Sequence, residues 1–239
     1  MGEARVQSFR IPLTLLTYIH VVKVDLVRGV AAVRGLDETQ VGADFLDHIG
    51  TIASFCLENT VNRARLIHSS LTDVLTGWYN RRYLQDRLHG EIARAQRNQQ
   101  PLASLLLDVD HFKRVNDDHG HLVGDAVLRE IAQRVEVQVR ASDVAARFGG
   151  EEFTVLLPNT TTNEALDMAE RIWQSVARPP IEVGDECSLD MTLSIGIAGL
   201  NPDREHADLM SLGEGLLSEA DVALYRAKSE GRNCVQLSV

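Results

Sequence analysis

The sequence predicts an α/β chain of the α+β kind: a central antiparallel sheet with helices packed on it, preceded by one long connecting helix. Three observations carry that expectation. Leu102–Val109 is a nearly unbroken apolar run that reads as a buried strand, with Asp108 near its end. Val144–Phe148 and Phe153–Leu157 are separated only by Gly149, Gly150, Glu151 and Glu152, which reads as a hairpin. Around these runs the apolar spacing changes to a helical rhythm, as at Val123, Val127, Leu128, Ile131, Val135 and Val139.

Residues 6–35 come first. They hold the short apolar runs Ile11–Ile19, Val21–Val27 and Gly29–Val33, expected as strands of a small sheet. From Val41 to Ser69 the pattern is helical. Leu46, Ile49, Ala53, Cys56, Thr60 and Ile67 form either a seam for a partner helix or the inner face of an ordinary amphipathic helix. Leu71–Arg82 is a turn-rich join. Helices are expected at Arg81–Asn98, Val123–Val139, Asn163–Ala177 and Gly215–Ser229, with further strands at Leu189–Ala198 and Asn233–Leu237. The chain therefore reads as a strand segment (1–40), a linker helix (41–70) and a main domain (71–239). The main domain has the central order β-α-β-β-α-β, the ferredoxin-like split βαβ. In that topology the first strand lies beside a strand of the hairpin, so Asp108 meets the turn at Gly149–Glu152.

Bulk properties exclude several classes. A net charge of -10 argues against binding a nucleic acid polymer through a general basic surface. Cys56, Cys187 and Cys234 are odd in number and far apart, which fits neither a disulfide framework nor a zinc site and points to a reducing cytoplasm. The most apolar early stretch, Ile11–Val27, is interrupted by His20, Lys23 and Asp25, so no membrane span is expected there, and it lacks the pattern of a signal peptide.

The predicted topology brings Asp108, Asp110, Glu151 and Glu152 to one sheet edge. Clustered carboxylates repel unless a cation sits among them, and hard oxygen ligands favour Mg²⁺ or Mn²⁺. Two such ions can polarise a phosphoryl group and activate a hydroxyl. Gly149 and Gly150 let a ligand approach the backbone. Lys113 lies in a loop beyond the first strand, and Lys228 and Arg232 lie four apart at the end of the last helix. Each of these cations alone also suits a solvated surface. The chain has no Walker or Rossmann motif, so a nucleotide would be held another way.

Four segments resemble one family. Arg147-Phe-Gly-Gly-Glu-Glu-Phe153 is similar to the signature of GGDEF domains in its GGEEF form. Asp73–Arg82 resembles the opening block, Asp108–Asp125 the first-strand and nucleotide-loop block, and Ala220–Asn233 the closing block. The likeness spans about residues 71–239, with Trp78 standing where leucine is usual and His119 where an aromatic is usual.

The resemblance implies a nucleotidyl cyclase/palm core and diguanylate cyclase activity. Two GTP would condense into cyclic di-GMP and two pyrophosphates by 3′-hydroxyl attack on the α-phosphate. It implies Asp108, Glu151 and the Val109 carbonyl as ligands of Mg²⁺ or Mn²⁺, two ions per site, and Glu151, Glu152 and Arg147 as catalytic residues. GTP would be bound by His111, Phe112, Lys113, Asn116, Asp125, Gly149, Gly150, Lys228 and Arg232, with Asn116 and Asp125 on guanine and Lys113, Lys228 and Arg232 on phosphates. Arg140-Ala-Ser-Asp143 falls where the family has its RxxD inhibitory site, with Arg171 as a further contact for cyclic di-GMP. One GTP per chain implies a homodimer, with the 41–70 helix as the signalling helix. The N-terminal 70 residues resemble the back half of a GAF-like sensor, which is expected to be truncated or degenerate. Three alternatives stand beside this reading: a silent GGDEF domain that binds GTP or cyclic di-GMP to regulate a partner, a cyclase that uses another nucleotide or makes a different cyclic product, and a polymerase palm.

Overall fold

The structure is a computed structural model that describes residues 38–184, 187–200 and 208–238. The strands expected within residues 6–35 lie outside that range, as do the first 37 of the 70 residues that resemble a GAF-like sensor. The chain divides into two units, residues 1–67 and 68–239. Helix α1 (Glu38–Leu71) belongs mostly to the first and exposes Ile52 and Phe55. Among the described residues no helix is long and apolar enough to cross a membrane.

The second unit is built on a six-stranded sheet. Its strands are β1 (Tyr79–Asn80), β2 (Leu102–Val109), β3 (Val144–Arg147), β4 (Glu152–Pro158), β7 (Leu193–Leu200) and β8 (Val235–Leu237). Their order is β1-β3-β4-β2-β7-β8. The middle four are antiparallel, whereas β1 runs parallel to β3 and β8 parallel to β7. The expected split βαβ is therefore present, with a strand added at each edge. A separate hairpin, β5 (Ile181–Val183) with β6 (Cys187–Leu189), precedes β7.

Every residue of β2 is buried, because both faces of the sheet are covered. Odd-numbered β2 residues Ala103, Leu105, Leu107 and Val109 join a core with α4 (His121–Glu136) and α5 (Thr162–Ala177). Even-numbered Leu102 and Leu106 join a second core with α2 (Arg81–Asn98) and α6 (Leu209–Ser229). This alternation is the period of two that a strand imposes. Local signals set the helix starts. Asn80 accepts from the Tyr83 N–H at the head of α2, and Thr161 and Glu164 close a capping box on α5. Gly196 lets α6 lie directly on β7: a Cβ there would come within 2.2 Å of the Ala220 carbonyl oxygen. That close approach brings the C-terminal end of α6 over the end of β2.

Three expectations need correction. The segment after β2 is a helix, α3 (Phe112–His119), rather than a loop. It is short, and only Phe112 and Val115 are buried, too few to show a period. The strand expected at Leu189–Ala198 is divided: Leu189 ends β6, and β7 starts at Leu193. Helix α6 begins at Leu209, six residues ahead of the expected Gly215, because Gly213 and Gly215 read as breakers.

Candidate active site

The strand register builds the site. In the β2–β4 pair Asp108 stands directly opposite Glu152, and the Val109 N–H donates to the Glu151 carbonyl at 3.2 Å. Residues opposite each other in such a pair share a face, so two carboxylates are held close where like charges repel. Asp108 has the parity of Leu102 and Leu106 and is only 5% exposed. It lies on the α6 side, and Lys228 of α6 reaches it, Nζ to Oδ2 at 2.8 Å.

The electrostatics reflect that crowding. Burial is the main cause that pushes the Asp108 carboxyl above the usual carboxylate range. Lys228 opposes the shift, while Glu152 and Asp110 add to it. Burial also raises the Glu151 carboxyl, helped by the charges of Asp108 and Glu152 and opposed by Lys228. Such sites favour a neutralising cation, and Lys228 supplies one positive charge against several negative ones. The donor set of carboxylates and the Val109 carbonyl is hard oxygen, which fits Mg²⁺ or Mn²⁺. Among the described residues no three His, Cys, Asp or Glu side chains form a closed cage. Mg²⁺ needs none, because it binds through one or two carboxylates and completes its shell with phosphates and water.

The other assigned residues fall into groups. The α3–α4 corner turns at Gly120, φ 82°, and sets Asn116 against Gly124, the residue before Asp125. Gly124, which the motif reading passed over, makes room: a Cβ there would lie 2.0 Å from Asn116 Oδ1. His111 has φ 58° at the head of α3, Phe112 is buried and Lys113 is exposed. The first N–H groups of a helix lack intrahelical partners, so α3 offers backbone donors beside Lys113. Gly149 is packed by its neighbour: a Cβ would lie 2.6 Å from Glu152 Oε2. Arg232, with φ 66°, is exposed, and its guanidinium has no ion-pair partner among the described residues.

Arg147 is already engaged. Its guanidinium pairs with both Asp73 oxygens at 3.1 and 3.2 Å and donates to the Gly150 carbonyl at 2.6 and 3.2 Å. It ties the signature turn to the join after α1. Burial alone would raise the Asp73 carboxyl, but the Thr76 N–H and hydroxyl and Arg147 outweigh it, leaving the group below its usual value. Asp110, expected in the carboxylate cluster, instead accepts hydrogen bonds from Thr192, Ser194 and the Asn233 N–H.

Arg140 and Asp143 share one turn. The Arg140 N–H donates to Asp143 Oδ2 at 2.7 Å, and the Asp143 N–H to the Arg140 carbonyl at 3.0 Å. They line a cavity of about 380 Å³ with Glu136, Val139, Gly77 and Trp78. Arg171 is exposed on α5 and hydrogen-bonds within its own helix, to the Asp167 carbonyl.

Comparison with known proteins adds the lineage. The family described as diguanylate cyclase, GGDEF domain, matches residues 70–234. The response regulator PleD of Caulobacter vibrioides is 43% identical over 178 residues, 72% of this chain and 38% of that protein. Diguanylate cyclase DgcP of Pseudomonas aeruginosa is 43% identical over 169 residues, 71% of this chain and 24% of that protein. The chain thus spans only part of the length of both relatives. Among solved structures, the coiled coil and GGDEF domain of DgcB from Caulobacter crescentus, in complex with c-di-GMP, is similar with a TM-score of 0.72. The likeness has 27% identity and covers 80% of this chain and 97% of that one. A signature turn set against a buried strand-end aspartate, and a match that runs from the end of α1 almost to β8, lead to one conclusion: the chain belongs to the GGDEF family of diguanylate cyclase domains.

Proposed function

We propose that this domain condenses two GTP into cyclic di-GMP, releasing two pyrophosphates, as a homodimer in which each chain holds one GTP. The observation that carries the reading is the strand-end cluster: buried Asp108, opposed by Glu152, flanked by Glu151 and bridged by Lys228. The relatives named diguanylate cyclase support the same chemistry.

Asn116 and Asp125 take the guanine edge, and a base without the matching groups is rejected because it leaves a polar partner unpaired. Lys113, Lys228, Arg232 and the free N–H groups at the head of α3, at His111, Phe112 and Lys113, take the phosphates. Gly149 and Gly150 admit the ligand close to the backbone. Lys228 exchanges Asp108 for phosphate as substrate enters. Glu151, its carboxyl raised by burial, accepts the 3′-hydroxyl proton, with Glu152 beside it in the same task. The O3′–Pα bond forms, the Pα–O bond to the β-phosphate breaks, and pyrophosphate leaves with the electron pair. A second such transfer closes the ring. Two Mg²⁺ or Mn²⁺ ions, held by Asp108, Glu151 and the Val109 carbonyl, supply Lewis-acid polarisation and charge neutralisation when bound. Arg147 fixes the Gly150 carbonyl and so the turn on which Glu151 rides. Arg140 and Asp143, with Arg171, bind the product and restrain the enzyme.

The test is incubation of purified protein with GTP and Mg²⁺, with products followed by chromatography. Cyclic di-GMP is expected, and Glu151→Gln should lower its formation at least about 100-fold with the circular dichroism spectrum intact. Turnover in that variant would sink the assignment of Glu151. GTP binding without product, in dimerised protein stripped of bound nucleotide, would make the domain a regulatory binding module instead.

A further inference from the structure

We propose that Asp110 is a positioning residue, whose buried carboxylate holds the Gly231–Asn233 turn and thereby sets the Arg232 guanidinium against the substrate phosphates. The inference rests on the reading of Arg232 as a phosphate-binding group.

Asp110 is 3% exposed and lies two residues beyond Asp108. Oδ2 accepts from the Thr192 hydroxyl at 2.7 Å and the Asn233 N–H at 2.9 Å, and Oδ1 accepts from the Ser194 hydroxyl at 2.7 Å. Its own N–H donates to the Thr192 carbonyl at 3.0 Å. An ionised carboxylate only accepts hydrogen bonds, and three short donors satisfy a buried one. It therefore does not face the substrate. It joins β7 to the turn that follows α6.

That turn needs holding. Gly231, Arg232 and Asn233 have φ of 113°, 66° and 51°, so two side-chain-bearing residues in a row lie in the left-handed region. Such geometry persists only where the surroundings impose it. Asp110 grips the Asn233 backbone. The Trp173 indole N–H grips the Asn233 side chain at 2.7 Å, and the Arg232 N–H reaches back to the Ala227 carbonyl at 3.0 Å. Held this way, the turn presents the exposed Arg232 guanidinium four residues after Lys228. The two aspartates divide the work: Asp108 binds Lys228 directly, and Asp110 sets Arg232 through the backbone.

The test measures binding of the α,β-methylene analogue of GTP, which cannot release pyrophosphate, and of guanosine, which has no phosphate. Asp110→Ala is expected to weaken the analogue about ten-fold, as Arg232→Ala does, with guanosine binding unchanged. The double variant should be no weaker than Arg232→Ala alone, because both changes remove one interaction. Asp110→Asn should restore most of the affinity. Its amide can direct oxygen to Thr192 and Asn233, and the Ser194 hydroxyl can turn to accept from the NH₂ group. Full additivity, equal loss of guanosine binding, or an Asn variant as weak as Ala would overturn the positioning role. Wild-type analogue affinity in Arg232→Ala would overturn the phosphate reading of Arg232 and the positioning role with it. Should Asp110→Ala fail to fold, Trp173→Phe removes one hydrogen bond on the other side of the turn. It is then expected to weaken the analogue two- to three-fold and spare guanosine, and unchanged analogue affinity would overturn the proposal.

Discussion

The strand-end cluster and the Arg140–Asp143 turn are both groups of charged side chains flanking β3 and β4, yet they are built in opposite ways. The cluster gathers Asp108, Glu151, Glu152 and Lys228 from three elements and holds Asp108 inside the core. The turn is four consecutive residues that bond one another, with Arg140 exposed. Convergent construction gives a fixed geometry at an electrostatic cost. Local construction places an arginine and a carboxylate together at almost no cost, but relies on a ligand to organise the rest. Charges fixed around a buried carboxylate suit transition-state stabilisation, and an exposed arginine suits reversible recognition.

The largest expected effect breaks the cluster. Asp108→Asn should lower cyclase activity by at least about 10²-fold while leaving thermal stability unchanged or raising it. The sign follows from the raised Asp108 carboxyl. A carboxylate whose folded value lies above its unfolded one contributes stability below the unfolded value, about 3.8, and loses that contribution as pH rises through the folded value. At neutral pH its ionised form is thus a net cost that asparagine removes. Metal-free wild type and variant, compared by urea unfolding between pH 4 and 8, should diverge as pH rises, with the variant the more stable. Convergence at high pH would show that Lys228 fully offsets the buried charge.

Much of this contrast was legible before any coordinates. The hairpin glycines and the Leu102–Val109 run led to the β2–β4 pairing and so to Asp108 opposite the signature turn. Arg140 and Asp143 were read only from the RxxD resemblance, and the structure adds that they bond each other within one turn. The sequence was least legible where partners are distant or backbone angles unusual. No pattern shows that Arg147 bonds Asp73, 74 residues away. Asp110 looks like a further metal ligand until its three donors are seen. Gly124 reads as filler until Asn116 lies against it. The two-residue β1 and three-residue β5 and β6 are too short for any periodicity to appear.

The intermediate effect separates the two sites. Arg140→Ala should leave the initial rate unchanged and raise the cyclic di-GMP concentration for half-inhibition about 10- to 100-fold, the scale of one lost charged hydrogen-bonding group. Progress curves with added product measure it. A parallel fall in initial rate would mean that the turn is tied into the catalytic geometry. Unchanged inhibition would refute the product-binding role.

The smallest effect sharpens the comparison, because the segment before β1 touches both regions. Asp73 holds Arg147, which holds the Gly150 carbonyl beside Glu151, while Gly77 and Trp78 line the cavity shared with Arg140. Asp73→Ala should cost about 1 kcal/mol of unfolding free energy at pH 7, typical of a partly buried charged pair with its hydrogen bonds. The Asp73 carboxyl is depressed, so its contribution is present above its unfolded value of about 3.8 and is lost as pH falls through the folded value. Urea unfolding should therefore separate wild type from variant at pH 7 and bring them together at the acid end. If the gap persists there, it arises from packing of the Asp73–Thr76 turn rather than from the charge on Asp73. The Arg147 link would then steady the signature turn by position alone.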